Sequence, residues 1–398
     1  MEVLKPFYYD NFTCIGNKCK DSCCIGWRVF IDKKSYNKYK KVAGEFGKVL
    51  NNSMSRNRKN KSHLHYAEMK LKNKRCQLLN NNNLCDIYIN LGEEYLCNTC
   101  KTYPRIVRKY GDICEKTLNL SCPEVAKIFV ESNKDFNFVM QDEILNEIEE
   151  QYIEETKYNK SLYNLLWEGR SLSIDVAQFK DIEIWKRLVF IKVIEEKLQT
   201  LILESNYKEL ESEIDKLKNN ITSYNVIQSL DSIEKINSIK VAFVSVLLQR
   251  KVNLGEHNFM FVEVLKSFNK FFKDKNDSEI EEIFNKEEEE FNKYLKKYEY
   301  VLENYIVYDL YNNYMSALKT KDLNKEILFL ILKYSTIKML LLSRWDEKNK
   351  ELNNEDIIDI LYSFSRVMEH DDEFIYDLYK DIKKEGYDTL AYLTILVR

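Results

Sequence analysis

The sequence predicts a mainly α-helical protein: a small, irregular, cysteine-rich metal-binding domain over residues 1–130, followed by a large all-helical domain over 131–398, with no Rossmann architecture. Three observations predict it. All ten cysteines lie between Cys14 and Cys122. All three prolines (Pro6, Pro104, Pro123) and six of the nine glycines also fall within the first 123 residues. Beyond that point apolar residues recur at helical spacing, and no proline interrupts them.

The glycine shortage has a further use. At average usage of roughly 7%, a chain of 398 residues would carry about 28 glycines. Dinucleotide-binding and phosphate-cradling turns need glycine where the backbone approaches the ligand. The chain contains no G-x-G and no G-x-x-x-x-G-K. The ordinary nucleotide folds are therefore not expected.

The formal net charge of -3 conceals two unlike halves. Residues 1–123 carry 23 Lys+Arg against 11 Asp+Glu, a balance of +12, and residues 124–398 carry 38 against 53, a balance of -15. Such asymmetry fits two halves that dock on one another or solvate their own faces. It also fits a basic region for an anionic ligand and an acidic wall for a cationic one. The opening MEVLKPFYYDNF has no apolar signal core, and the longest apolar run, Ile327–Leu342, is interrupted by Lys333 and Lys338. A soluble, cytoplasmic, monomeric protein with no membrane contact is expected.

In the second half, Ile182, Trp185, Val189 and Val193 form one stripe, which Ile194, Leu198 and Leu201 continue. Ser278-Glu-Ile-Glu281 reads as a capping box ahead of Ile280, Phe284, Phe291, Leu295, Tyr298, Leu302 and Tyr305. Further amphipathic segments lie near 141–157, 207–219, 237–250, 323–345, 355–369 and 373–382. The asparagine patches Asn51–Asn52 and Asn80–Asn83 read as loops.

The first half carries the chemistry. Its cysteines run Cys14-x4-Cys19-x3-Cys23-Cys24, Cys76-x8-Cys85, Cys97-x2-Cys100, then Cys114 and Cys122-Pro123. Disulfides need an oxidising compartment, for which no export signal speaks. Three tight clusters in one third of a chain point instead to metal. Cys97-x-x-Cys100 has a zinc-knuckle spacing, and Cys122-Pro123 has the look of an iron–sulfur ligand. Zinc and an iron–sulfur cluster both stay open. The triplet typical of radical chemistry fails, because its third position is Gly26. His63 and His65 sit in a Lys/Asn-rich stretch and read as surface residues, and His257 and His370 are assigned no role.

FTCIGNKCKDSCCIGWRVFID, RCQLL…LCDIYINLGEEYLCNTCKTYPR and LNLSCPEVAK together closely resemble the flagellin lysine N-methylase family. The specific match covers roughly residues 7–130. Beyond it the likeness is one of length, helicity and phrases such as LENYIVYDLYNNYM. The resemblance implies methyl transfer from S-adenosylmethionine to lysine ε-amino groups of flagellin, in a protein carrying a [4Fe–4S] cluster. It maps the family's cysteines onto Cys14, Cys19, Cys23, Cys24, Cys76, Cys85, Cys97, Cys100 and Cys122, and leaves Cys114 outside the set. Nine exceed the four one cluster needs, so a separate zinc site is also open.

Methyl transfer needs the neutral amine, whose pKa is ordinarily near 10.4, so the site must desolvate it or supply a base. Aromatic rings suit both the sulfonium and the methylated product. Trp27 and Tyr103 are the candidate donor-binding aromatics, and Arg105 is the candidate partner for the donor's carboxylate; it could equally pair with Asp86 or Glu93. Tyr36, Tyr88 and Tyr95 are the other aromatics of the region. Direct displacement and a reductive route through an open iron both remain. The competing function is a non-enzymatic zinc or iron–sulfur redox or interaction module. Nucleic-acid binding through the basic half is not expected.

Overall fold

The computed structural model describes residues 1–58, 62–146, 159–221, 223–253 and 258–398. Helices dominate, as expected, with three small sheets near the N-terminus.

The chain opens as a strand, Glu2–Pro6, which lies inside a four-stranded sheet. On one side it pairs in parallel with Ile113–Leu118, Glu2 opposite Ile113. On the other it pairs antiparallel with Phe138–Asp142. Arg105–Tyr110 completes the sheet as the hairpin partner of Ile113–Leu118. Gly111, at φ +62°, supplies the left-handed residue that their two-residue connection needs.

The parallel pair cannot be joined by a tight turn. Its connection is the cysteine-rich segment itself, which leaves the sheet after Pro6 and returns at Arg105. This excursion has its own core of Val29, Ile31, Tyr39, Leu50, Met54, Ala67, Met69, Leu78 and Ile87. A three-stranded sheet (Phe30–Ile31, Ala67–Met69, Met54–Arg56) and the helices Lys33–Lys40 and Gly44–Asn52 enclose it. Beside them, Asn73 and Lys74 both take positive φ and turn the short hairpin Leu71–Lys72/Arg75–Cys76. Asn80–Asn83 is a turn, with the Asn80 side chain accepting from the amides of Asn82 and Leu84. Asn51 and Asn52 are not loop residues; they end the Gly44–Asn52 helix, where the Asn51 amide donates to Gly47 O at 2.7 Å.

The helical half packs around Leu323–Glu347, whose apolar residues are buried on nearly all sides. Ile184–Glu204, Asn237–Asn253, Phe259–Phe272, Glu299–Asn313, Asn354–Met368 and Leu390–Val397 all lie against it. The large core also takes in Tyr8, Tyr9, Phe12 and the Pro123–Glu131 helix. The stripe from Ile280 to Tyr305 is buried as expected, but a 3-10 turn at Lys296–Tyr298 divides it between two helices. Its capping box sits two residues earlier than the sequence suggests. Asn276 accepts from Glu279 N at 3.0 Å, and Glu279 accepts from Asn276 N at 2.7 Å. Asparagine thus caps more effectively than Ser278, already inside the first turn. The segment near 141–157 begins as strand at Gln141 and Asp142, because those residues pair with the N-terminal strand; residues 147–158 lie outside the described residues.

One ion pair joins sheet to bundle. Glu115 and Arg170, both almost wholly buried, meet through two hydrogen bonds of 2.5 and 2.9 Å. The guanidinium also lies 4.8 Å from the Trp167 ring centre and 5.4 Å from that of Tyr311. Tyr311 in turn donates to Leu4 O at 2.6 Å. Among the described residues no helix is long and apolar enough to cross a membrane.

Candidate functional site

The loop Cys19–Trp27 lacks regular structure, so its backbone must find partners elsewhere. One edge is zipped to the small hairpin: Cys76 N donates to Cys24 O at 2.9 Å and Gly26 N to Lys74 O at 2.8 Å. The other edge is held by the Asn354–Met368 helix, where Glu355, Asp359, Tyr362 and Arg366 recur at helical spacing. Lys20 donates to Glu355 and Asp359 and lies over the Tyr362 ring. Arg366 reaches deepest. It donates to Ser22 O at 2.7 Å and Ile25 O at 2.5 Å, and pairs with Asp21 at 3.3 Å. Its guanidinium carbon stands 4.3 Å from the Trp27 ring centre. The basic and acidic halves therefore do dock here.

Trp27 is the centre of a small aromatic group. Tyr103 meets it edge-on at 5.2 Å and His370 at 4.9 Å, and the Trp27 indole donates to Cys23 O at 2.5 Å. Ser121 hydroxyl bridges the two outer rings, 3.1 Å from the Tyr103 hydroxyl and 2.9 Å from His370 Nε2. Burial pushes the Tyr103 phenol well above its ordinary value, so it stays a neutral donor or acceptor. His370 is exposed and Trp27 half-buried, so the group opens to solvent. Of the three residues singled out for the donor, the structure brings Trp27 and Tyr103 into contact. Arg105 lies against Phe12, its guanidinium 5.0 Å from that ring centre and donating to Phe12 O at 3.4 Å. Tyr88 is largely exposed, while Tyr36 and Tyr95 pack on the small core. His63 is exposed, and His65 stacks on Phe30 at 4.3 Å.

Arg366 and His370 escape a sequence reading because their partners lie 249 residues or more away. The available signal was the charged stripe Glu355, Asp359, Arg366 along a helix otherwise rich in apolar residues. An Arg366→Ala change removes about 3 kcal/mol of charge-assisted bonding to the loop. Amide hydrogen exchange over residues 19–27 is then expected to accelerate about a hundredfold, with exchange in the Leu323–Glu347 helix unchanged.

None of the ten cysteines is in a disulfide. Cys24, Cys76, Cys85, Cys97 and Cys100 gather around the small core, Cys122 belongs to the large one, and Cys14 and Cys23 are exposed. Cys114 sits apart, within the four-stranded sheet opposite Val3, and is buried with it and Leu145. Two pairs are intimate. Cys97 and Cys100 sulfurs lie 3.6 Å apart, and the bond between them lowers Cys97. Cys23 donates to Cys24 and brings that thiol down to about 7. Elsewhere burial prevails, raising Cys76 to about 12 and Cys122 to about 11, and pushing up Cys19 and Cys85.

These residues fit a thiophilic metal in pairs. Zinc–sulfur bonds of about 2.3 Å set tetrahedral ligand sulfurs about 3.8 Å apart, close to the Cys97–Cys100 spacing. A complete shell is not assembled. Among the described residues, no three Cys, His, Asp or Glu side chains converge closely enough to hold a metal ion. Because the remaining thiols hold their protons, an incoming metal must displace them as it draws the ligands together.

The family described as FliB lysine N-methylase C-terminal domain matches residues 170–396. The chain is also similar to the flagellar biosynthetic protein FliU of Salmonella muenchen, 32% identical over 126 residues, 31% of this chain and 73% of that protein. It is 33% identical over 128 residues to a lysine-N-methylase of Salmonella choleraesuis (strain SC-B67), and 32% identical over 128 residues to one of Salmonella typhimurium (strain LT2). Each of those two alignments spans 31% of this chain and 31% of the lysine-N-methylase. No solved structure matches.

Proposed function

The chain belongs to the FliB lysine N-methylase family, and from that membership we propose that it transfers methyl groups from S-adenosylmethionine to lysine ε-amino groups of flagellin. The observation that carries the reading is the family match over residues 170–396, more than half of the chain. The same matched segment supplies Arg366 and His370 to the aromatic group at the cysteine loop.

In the transfer, the amine nitrogen's lone pair forms a bond to the methyl carbon as the carbon–sulfur bond breaks. The electron pair stays on sulfur, and the product ammonium gives up a proton. Trp27 and Tyr103 offer apolar, electron-rich surface against which a lysine is stripped of water and a sulfonium is attracted. His370, hydrogen-bonded to Ser121 at the open side, is placed to accept the proton. Four of the nine cysteines of the first half, Cys14 through Cys122 without Cys114, would hold a [4Fe–4S] cluster or zinc, whose contribution would be to fix the loop that carries Trp27.

The test is anaerobic incubation of the full chain with S-adenosylmethionine and purified flagellin, read by mass spectrometry of flagellin peptides. Donor-dependent methyl additions on lysine are expected. Intact metal content with no transfer would favour the non-enzymatic module instead. Trp27→Ala is expected to lower kcat/KM about two- to thirtyfold, the ~0.5–2 kcal/mol of one aromatic–cation contact.

A further inference from the structure

Tyr39 is wholly buried in the small core that also holds Cys76 and Cys97, with Cys24, Cys85 and Cys100 packed against it. Its hydroxyl has no hydrogen-bond partner among the described residues. Buried hydroxyls are normally bonded, because an unsatisfied one bears its full desolvation cost. The position of this one is closely determined. Ser35 and Tyr39 form the buried face of the Lys33–Lys40 helix. Asp32 caps that helix by accepting from Ser35 N at 2.8 Å, and its other oxygen accepts from Asn98 N at 3.1 Å. Asn98 lies between the two cysteines of the knuckle, so one carboxylate ties the tyrosine's helix to Cys97 and Cys100. Phe30 O accepts from Thr99 Oγ1 at 2.9 Å and from Cys97 Sγ at 3.5 Å, which occupies both its lone pairs. These oxygen acceptors beside the knuckle are thus engaged, and the sulfurs remain.

We propose that Tyr39 donates its hydroxyl to a metal-bound sulfur of the Cys97–Cys100 pair and is a positioning residue for that metal. The inference rests on the reading that cysteines of the first half hold a metal. Burial, then the charges of Cys97, Cys100, Asp32 and Cys85, push the phenol far above its ordinary value, so it keeps the proton it must donate. A neutral thiol is a weak acceptor. Metal binding displaces the thiol proton and leaves a charged sulfur, to which a hydrogen bond is roughly twice as strong. Cys97 in that state gives up its own bond to Phe30 O and gains acceptor capacity. Hydrogen bonds of this kind orient the ligands and raise metal affinity. The same hydroxyl is therefore a cost to the chain without metal and a gain with it.

Tyr39→Phe keeps the ring and removes only the oxygen. Zinc affinity of the full chain, measured by competition with a chromophoric chelator, is expected to fall about 10- to 100-fold. The melting temperature of the chelated chain is not expected to fall, since no bond is lost there. With cobalt(II) as probe, the sulfur-to-metal charge-transfer band should move to longer wavelength, because a sulfur without a donor releases electron density more easily. Tyr36→Phe, on the same helix, is expected to leave all three readouts unchanged. Equal zinc affinity in Tyr39→Phe overturns the proposal. So does a melting temperature lowered equally with and without zinc, the mark of a hydroxyl that serves only the fold. Should the variant fail to fold, cadmium-113 NMR of the wild-type chain decides the matter. A tyrosine hydroxyl proton coupled to the metal supports the bond, and its absence sinks it. A wild-type chain that takes up neither zinc nor cobalt overturns the metal reading along with this one, whereas uptake indifferent to Tyr39 overturns this one alone. None of these readouts depends on methyl transfer.

Discussion

Replacing Glu115 with alanine is expected to destabilise the protein by about 3–5 kcal/mol, the cost of leaving a buried cation without its partner. Arg170 would then face an apolar interior with only Tyr311 O, 3.4 Å away, to receive it. Burial alone would lower the Arg170 pKa, and it is Glu115 that raises it. The loss extends beyond one bond, because the pair connects the Ile113–Leu118 strand to the Lys160–Ala177 helix. Urea denaturation of Glu115→Ala, Arg170→Met and the double variant Glu115→Leu/Arg170→Met measures it. The double variant should recover most of the loss, since burying two apolar groups removes both desolvation penalties. A cost below about 1 kcal/mol for Glu115→Ala would place the pair among ordinary surface contacts.

The second large effect concerns Cys97 and Cys100. On the proposed function, changing both to serine is expected to remove bound metal and, with it, methyl transfer, because the two sulfurs lie 3.6 Å apart, a spacing that fits a shared metal. Structural metal sites contribute on the order of 10 kcal/mol of apparent binding free energy, so loss of the pair should also unfold the small core. Cys114→Ser is the control. Cys114 lies with Val3 and Leu145, and its replacement should cost about 1 kcal/mol of stability yet leave metal content unchanged. Metal and sulfide analysis after anaerobic purification reads both variants. Full metal retention in the Cys97→Ser/Cys100→Ser protein would exclude this pair as ligands.

The helices were legible because each repeats one apolar spacing many times, as in Leu323–Glu347 and Asn354–Met368. The four-stranded sheet was not. Its strands are five or six residues long, and Glu2–Pro6 pairs on both sides with strands more than a hundred residues away, so no local pattern announces it. The candidate site divides the same way. Trp27 and Tyr103 stood next to cysteine motifs that drew attention to them, whereas Arg366 and His370 acquire meaning only through contacts the fold creates. The family relationship shows the converse. The matched segment, 170–396, is where a reader of motifs finds only helicity and a few phrases, because its signature is spread thinly over many packed positions. Arg105 shows the same limit: it follows Cys100 closely in sequence, and in the fold its guanidinium lies against Phe12.

The position of the first strand bears on how the chain is made. Glu2–Pro6 leaves the ribosome before its neighbours Ile113–Leu118 and Phe138–Asp142 have been made. At synthesis rates of about 5–20 residues per second, the strand waits roughly 5–20 s for its parallel partner to emerge. During that interval its backbone edges are unsatisfied, while the cysteine-rich excursion can already collapse on its own apolar residues. The order of birth is thus the reverse of the order of closure: the oldest strand is inserted late, between two younger ones, and completes the sheet.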